Sequence, residues 1–285
     1  MSVSDLGIYR KPYESILTKT HILSGLPYVA SKDDPLWDNC EAVWPALEKQ
    51  LDQHREVLTA VIVEPIVQGA AGMQIYSQDF LKRLRTWTHT HGIHLIADEI
   101  MTGLGRTGLP LACQHAGIEP DFLCLGKALS AGALPLSAVL TSENIYQLFY
   151  DDYEKEKSFL HSHTHTGNAL AISAALAMFE VMELEKIYEK LPLLEVELKR
   201  SWQALDSEGQ FLKNKRGIGA IVAADLVNAK QQHRPGFEFY KKAIRNGALI
   251  RPIGPAVYWF LPLNVEKTVI VELEEITRRC FKSVE

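Results

Sequence analysis

The tightest constraint on this chain is a pair of short apolar runs that each end in a charged group. Ile93 to Asp98 closes on a carboxylate, and Phe122 to Gly126 closes on a glycine with Lys127 directly behind it. Apolar runs of this length, bounded by turn residues, read as buried strands. The stretch between Asp98 and Lys127 is long enough for a crossover between neighbouring strands. In open α/β sheets ligands sit beyond the carboxyl ends of the strands. The two charged groups are therefore expected at one crevice.

Two readings of Lys127 are open. Small residues follow it (Ala128, Ser130, Ala131, Gly132, Ala133). A lysine with few routes to water has a lowered pKa, and its neutral amine condenses with a carbonyl as a Schiff base. A lysine at a strand end also reaches solvent in the ordinary way. Asp98 weighs toward the first reading. A buried carboxylate beside a Schiff-base lysine is what pyridoxal phosphate requires, because it keeps the pyridine nitrogen protonated. Otherwise Asp98 is a helix cap or a metal ligand.

Along the chain, residues 6 to 40 are rich in Pro, Gly, Ser and Asp and read mostly as loop. Helical spacing follows over Asp38 to His54, then a strand over Leu58 to Glu64 that Pro65 stops. Ser77 is an expected N-cap, with Phe80, Leu81, Leu84 and Trp87 on one helical face and Gly92 past the end. Thr102 to Gly108 reads as a turn needing positive φ, with Arg106 structural; it lacks the Gly-Lys-Ser/Thr of a nucleotide loop. Pro135 to Thr141 is an expected strand. His161, His163 and His165 alternate, which on a strand places three imidazoles on one face, and a metal site is the alternative there. A long alanine-rich helix should run from Ala169 to about Glu185, its start suited to phosphate. Beyond it, Arg216 to Leu226 is expected as one strand. Phe237 to Asn246 is expected as a helix, and Ala248 to Arg251 and Val257 to Leu261 as short strands. Glu266 to Phe281 is the closing helix. Arg251 should end its strand facing the cleft, its guanidinium placed to clamp a carboxylate.

Composition removes several function classes. The 285 residues carry a net charge of −5 with no basic block, which argues against nucleic acid as the main partner. The cysteines Cys40, Cys113, Cys124 and Cys280 show no C-x-x-C spacing and read as reduced thiols of a cytoplasmic protein, with Cys124 in the core. No membrane-length apolar run is seen, so no membrane partner is expected.

Three runs occur in order: Val61 to Gly72 (VIVEPIVQGAAG), Ala97 to Gly108 (ADEIMTGLGRTG) and Leu125 to Leu129 (LGKAL). With His161 to Asn168 and Ile250 to Gly254, they resemble the class III (fold type I) pyridoxal-phosphate aminotransferases over nearly the whole chain. The resemblance implies an α/β fold. A partial fold type I large domain with a mainly parallel sheet would span residues 1–184, and a smaller α+β domain residues 185–285. It implies pyridoxal 5′-phosphate held by Lys127, with Asp98, His163 and Thr164 also binding cofactor, Thr164 reaching that of the neighbouring subunit in a homodimer. Ser162, Arg251 and Tyr258, with Lys127, are the implied substrate contacts. Ala70 and Tyr258 stand where relatives acting on ornithine or 4-aminobutyrate carry a glutamate and an arginine, so glutamate is not the expected donor. Met101 replaces a glutamine that bonds the ring hydroxyl in many relatives. The pattern is most similar to members that move an amino group from S-adenosylmethionine to an amino-oxo fatty acid. The resemblance also implies that an N-terminal part, with a stacking aromatic and a phosphate turn, lies upstream of Met1. A chain without it is expected to be nearly inactive unless Tyr9 or Tyr13 supplies the stacking ring. Two other readings are another class III aminotransferase and a catalytically silent chain that only dimerises.

Overall fold

The computed structural model describes residues 2–4, 10–227 and 234–282. Its centre is a four-stranded sheet of β2 (Ala60–Val63), β5 (His94–Asp98), β6 (Phe122–Leu125) and β7 (Ala138–Thr141), in that spatial order. The first three are parallel and β7 is antiparallel on the edge. The register sets Asp98 opposite Cys124, so β5 and β6 end side by side as their apolar patterns require. A smaller sheet joins β1 (Tyr28–Val29), β4 (Gln74–Tyr76) and β3 (Val67–Gln68). A third, fully antiparallel sheet holds β8 (Leu212–Ile218), β9 (Ile221–Leu226) and β10 (Ala256–Phe260).

The longer helices are α1 (Trp44–Asp52), α2 (Gln78–Thr90), α3 (Ala169–Leu184), α4 (Ile187–Ala204), α5 (Pro235–Arg245) and α6 (Lys267–Lys282). α2 begins at Ser77, whose Oγ accepts from the Phe80 N–H at 3.4 Å, and ends before Gly92. Its expected face is the buried one: Phe80, Leu81, Leu84 and Trp87 pack with Leu95 of β5 and Leu47 of α1. Burying each such side chain contributes about 1.5–3 kcal/mol. α3 is capped by Asn168, which accepts from the Leu170 and Ala171 N–H groups. α3 is apolar all round. It buries Ala171, Ala175, Met178 and Met182 while Leu170, Leu176 and Leu184 are exposed.

Two packed clusters make up the core. One joins Leu125 and Leu129 to α3, α4, α6 and Trp259 of β10; the other joins α1, α2 and β5 to Ile218, Ile221 and Ala223. The β8–β9 hairpin thus contributes to both clusters.

Three sequence expectations need correction. Arg216 to Leu226 is not one strand: Gly219, at φ +55°, turns the chain between β8 and β9. Ala248 to Arg251 is not a strand; it follows Gly247 (φ +94°) without ladder partners, and only Ile253 makes an isolated bridge to Ala256. Cys124 is only partly buried, although β6 is paired on both sides, because sheet partners cover the backbone edges and not the face a side chain points from.

Arg106 is structural, as expected. It is buried, donates from Nη1 to the carbonyls of Leu261 (2.7 Å) and Ala220 (3.3 Å), and lies 3.8 Å over the Phe260 ring. In the same loop Leu104, Gly105 and Gly108 take positive φ. Nearby, the His115 Nε2 lies 3.1 Å from the Thr107 carbonyl. Burial, then the charge of Lys32, pushes the His115 pKa down to about 4; the Thr107 bond and Glu195 oppose this more weakly. The unfolded chain binds this proton more tightly than the folded one. Stability from His115 is therefore complete above about pH 6.5 and is lost as pH falls toward 4. Replacing His115 with glutamine should flatten the fall of the urea midpoint across that window. An unchanged slope would show that the carboxylates alone set it.

Candidate active site

The carboxyl ends of the three parallel strands carry the chemistry. β2 runs into Glu64, β5 ends on Asp98, and β6 runs through Gly126 into Lys127. Asp98 is partly buried, and its Oδ1 accepts from the Ile100 N–H at 3.1 Å. Glu99 beside it serves the fold: fully buried, it accepts from the Ala112 and Cys113 N–H groups at 2.7 and 2.8 Å.

Lys127 is exposed, which corrects the expectation of a buried amine. The chain leaves the sheet there in a left-handed turn, with Lys127 at φ +43°, and opens a single helical turn to Ser130. Of the small residues that suggested burial only Ser130 is buried; Ala131, Gly132 and Ala133 are themselves exposed, so the segment after the lysine gives the amine no cover. A lysine in this backbone region costs about 1–3 kcal/mol, and such conformations cluster at functional sites. Ile100 lies under the turn, 3.3 Å from where a Cβ on Gly126 would sit. A larger residue before the lysine would displace that floor.

Glu64 was not singled out from the sequence. It precedes a proline at a strand end and passes for a strand terminator. Its side chain accepts from the Gly69 N–H (3.0 Å) and its carbonyl from the Tyr76 hydroxyl (2.7 Å). Burial pushes its pKa up, the charge of Asp98 adds to this, and the charge of Lys127 opposes it. Glu64 therefore feels the charges of both Asp98 and Lys127 at the carboxyl end of the sheet. The available signal was positional, since a carboxylate closing the strand next to β5 falls on the same edge.

The remaining expected residues lie elsewhere. Arg251 is exposed in the irregular segment before β10, which corrects the strand-end placement. It lines a cavity of about 580 Å³ with Arg234, Phe237 and Leu249; neither Asp98 nor Lys127 lines it. Tyr258 on β10 has its pKa raised by burial and pulled back by the charge of Arg251, so these two are neighbours. His161, Ser162, His163, Thr164 and His165 are exposed and not on a strand, so no shared imidazole face forms. Their segment turns on itself: the His163 N–H donates to Thr166 Oγ1, and the His165 N–H to His163 Nδ1, both at 3.1 Å. Tyr9 lies outside the described residues, and Tyr13 is exposed.

The family described as aminotransferase class III matches residues 1–281. An adenosylmethionine-8-amino-7-oxononanoate aminotransferase of Helicobacter pylori is 38% identical over 92% of this chain and 59% of its own length. The protein of that name from Aquifex aeolicus is 33% identical over 100% of this chain and 64% of its own. Among solved structures, the Methanocaldococcus jannaschii protein of that name superposes with a TM-score of 0.86 at 28% identity, over 99% of this chain and 64% of that one. A PLP-bound amine transaminase from an uncultivated Pseudomonas species also reaches 0.86 at 28% identity, over 100% and 66%. The chain thus spans about three fifths of the length of these curated relatives.

Proposed function

The chain belongs to the class III aminotransferases, and from that premise we propose that it is the greater part of a pyridoxal-phosphate transaminase of biotin biosynthesis. In this reading the amino group of S-adenosylmethionine passes to 8-amino-7-oxononanoate, giving 7,8-diaminononanoate. The names of the relatives support the substrates. The observation that carries the chemistry is the pairing of Asp98 and Lys127 at the ends of adjacent parallel strands.

These residues fit the cofactor. An exposed amine stands one strand away from a carboxylate whose Oδ1 is already oriented by the Ile100 N–H. When bound, the cofactor supplies an electron sink for the carbon that loses its proton. Asp98 would hold the pyridine nitrogen protonated. Lys127 would hold the cofactor, and its amine would take up and return the substrate Cα proton as general acid and base. Its outward turn gives that amine room to swing. Ile100 is an apolar floor below. Arg251 binds the substrate carboxylate, and Tyr258, which feels the charge of Arg251, is assigned to the substrate with it. Ser162 and His163 complete the site.

Thr164 is assigned to the cofactor phosphate of a second copy in a homodimer. Its exposure on a turn held by local hydrogen bonds supports a contact across subunits. The exposed apolar face of α3 supports a large covered surface of the kind obligate dimers bury. We place the division between the large and small domains at residues 184 and 185, and the protein in the cytoplasm. No described helix is long and apolar enough to cross a membrane.

Borohydride reduction of the chain with excess pyridoxal phosphate tests the assignment. Peptide mapping should find the label on Lys127, and Lys127→Ala should lose it. Label on another lysine, or none, would reject the site.

A further inference from the structure

We propose that Arg234 is a second guanidinium of the acceptor site, acting with Arg251 to select a substrate that ends in a carboxylate on an apolar chain. This rests on the reading of Arg251 given above and extends it to a residue outside the shared motifs.

Both arginines line the same cavity of about 580 Å³, and among the described residues no acidic one lines it. Among the described residues neither guanidinium forms an ion pair. The nearest acid in sequence on α5, Glu238, is taken by Lys241 at 2.7 Å. Two exposed cations on one pocket wall repel each other, and an anion between them relieves that repulsion. The rest of the wall is suited to hydrocarbon: Phe237, Leu249 and Pro252 line it, and Leu249 is 77% exposed there. The opening is larger than a nine-carbon acid requires.

Arg234 is also held in place. It is the residue before α5, at φ +54°, and its guanidinium lies 4.5 Å from the centre of the Phe237 ring. Stacking on that ring restricts the side chain before any ligand arrives. Gly236 fastens the start of the helix to the segment that bears Arg251. A Cβ on Gly236 would overlap the Gly254 carbonyl oxygen and come within 2.7 Å of the Pro252 Cβ. The two guanidiniums therefore sit on one frame. A planar fork suits a carboxylate, and a lysine in its place keeps the charge but loses the paired geometry.

The test is binding of nonanoate to the chain, by calorimetry at two salt concentrations, with 1-nonanol as the uncharged probe. Nonanoate should bind more tightly than nonanol, and the advantage should shrink with salt. Arg234→Gln should weaken nonanoate roughly three- to tenfold, the scale of an exposed charge contact, and leave nonanol unchanged. Arg234→Lys should fall between. Arg245→Gln, at the far end of the same helix, should match the parent, and circular dichroism should show all variants folded. Arg234→Gln binding within twofold of the parent while Arg251→Gln loses nonanoate would overturn the role of Arg234 and leave the Arg251 reading intact. No preference of the parent for nonanoate, or indifference to both substitutions, would overturn both.

Discussion

Replacing Arg216 with methionine is expected to destabilise the protein by about 3–5 kcal/mol, seen as a lowered urea midpoint. The side chain is only 3% exposed, and its Nη2 pairs with Asp225 Oδ1 at 2.9 Å. Its Nε donates to the Met73 carbonyl at 3.0 Å and its Nη1 to the Asn214 carbonyl at 2.6 Å; the Gly72 carbonyl accepts as well. Methionine matches the stem but leaves Asp225 without its cation, with only the Asn214 amide still donating to it, and takes the donor from backbone oxygens. An unsatisfied buried acceptor costs about 1–3 kcal/mol, and more than one is created. Arg200→Met is the control. Its pair with Glu197 is on the surface, 63% exposed at the arginine, and the midpoint should not move. If Arg216→Met moves it no more than Arg200→Met, the buried arginine is not the clamp described here.

Gly219→Ala should cost about 2–5 kcal/mol. The left-handed backbone (φ +55°) contributes about 1–2 of this. The rest is overpacking, about 1–3 kcal/mol. A Cβ there would overlap the Thr107 carbonyl carbon and the Gly108 nitrogen, and would lie 2.7 Å from the Arg106 oxygen. All three are backbone atoms, which cannot rotate away as a side chain would. Gly209→Ala separates the terms: its φ is +69° with nothing within 4 Å of the new atom, so it should show the strain alone. Equal losses for the two variants would mean that the hairpin tip is not pressed onto the Arg106 loop.

What the sequence revealed follows from the range of each interaction. The cap at Ser77, the helix start at Ala169 and the strands β5 and β6 were legible because pattern and partner lie within a few residues. So was the structural role of Arg106, from the glycines around it. Arg216 was not singled out: its acceptors are carbonyls of a distant turn, which no side-chain pattern announces. The same holds for Gly219, whose need for a bare Cα comes from the Arg106 loop. Lys127 was placed at the right strand end but with the wrong exposure. Small residues predict close packing of the backbone, and the direction of the amine depends on one positive φ that the sequence does not encode locally. Glu64 was hidden by the proline after it. Arg251 was singled out from the sequence and misplaced as an element, because the segment after Gly247 has strand-like composition but no neighbour to pair with.

The Arg216 clamp also sets an order of events during synthesis. The arginine lies 144 residues after Gly72, so at ribosomal rates the turn waits roughly 7–30 s for its only described cation. β2 precedes that interval, and β5, β6 and β7 are all made within it. A nascent chain can thus assemble its central sheet while the Gly72 and Met73 carbonyls still face water and the β8–β9 hairpin has yet to emerge. Weakening the clamp therefore acts twice, on the finished protein and on the share of newly made chains that reach it.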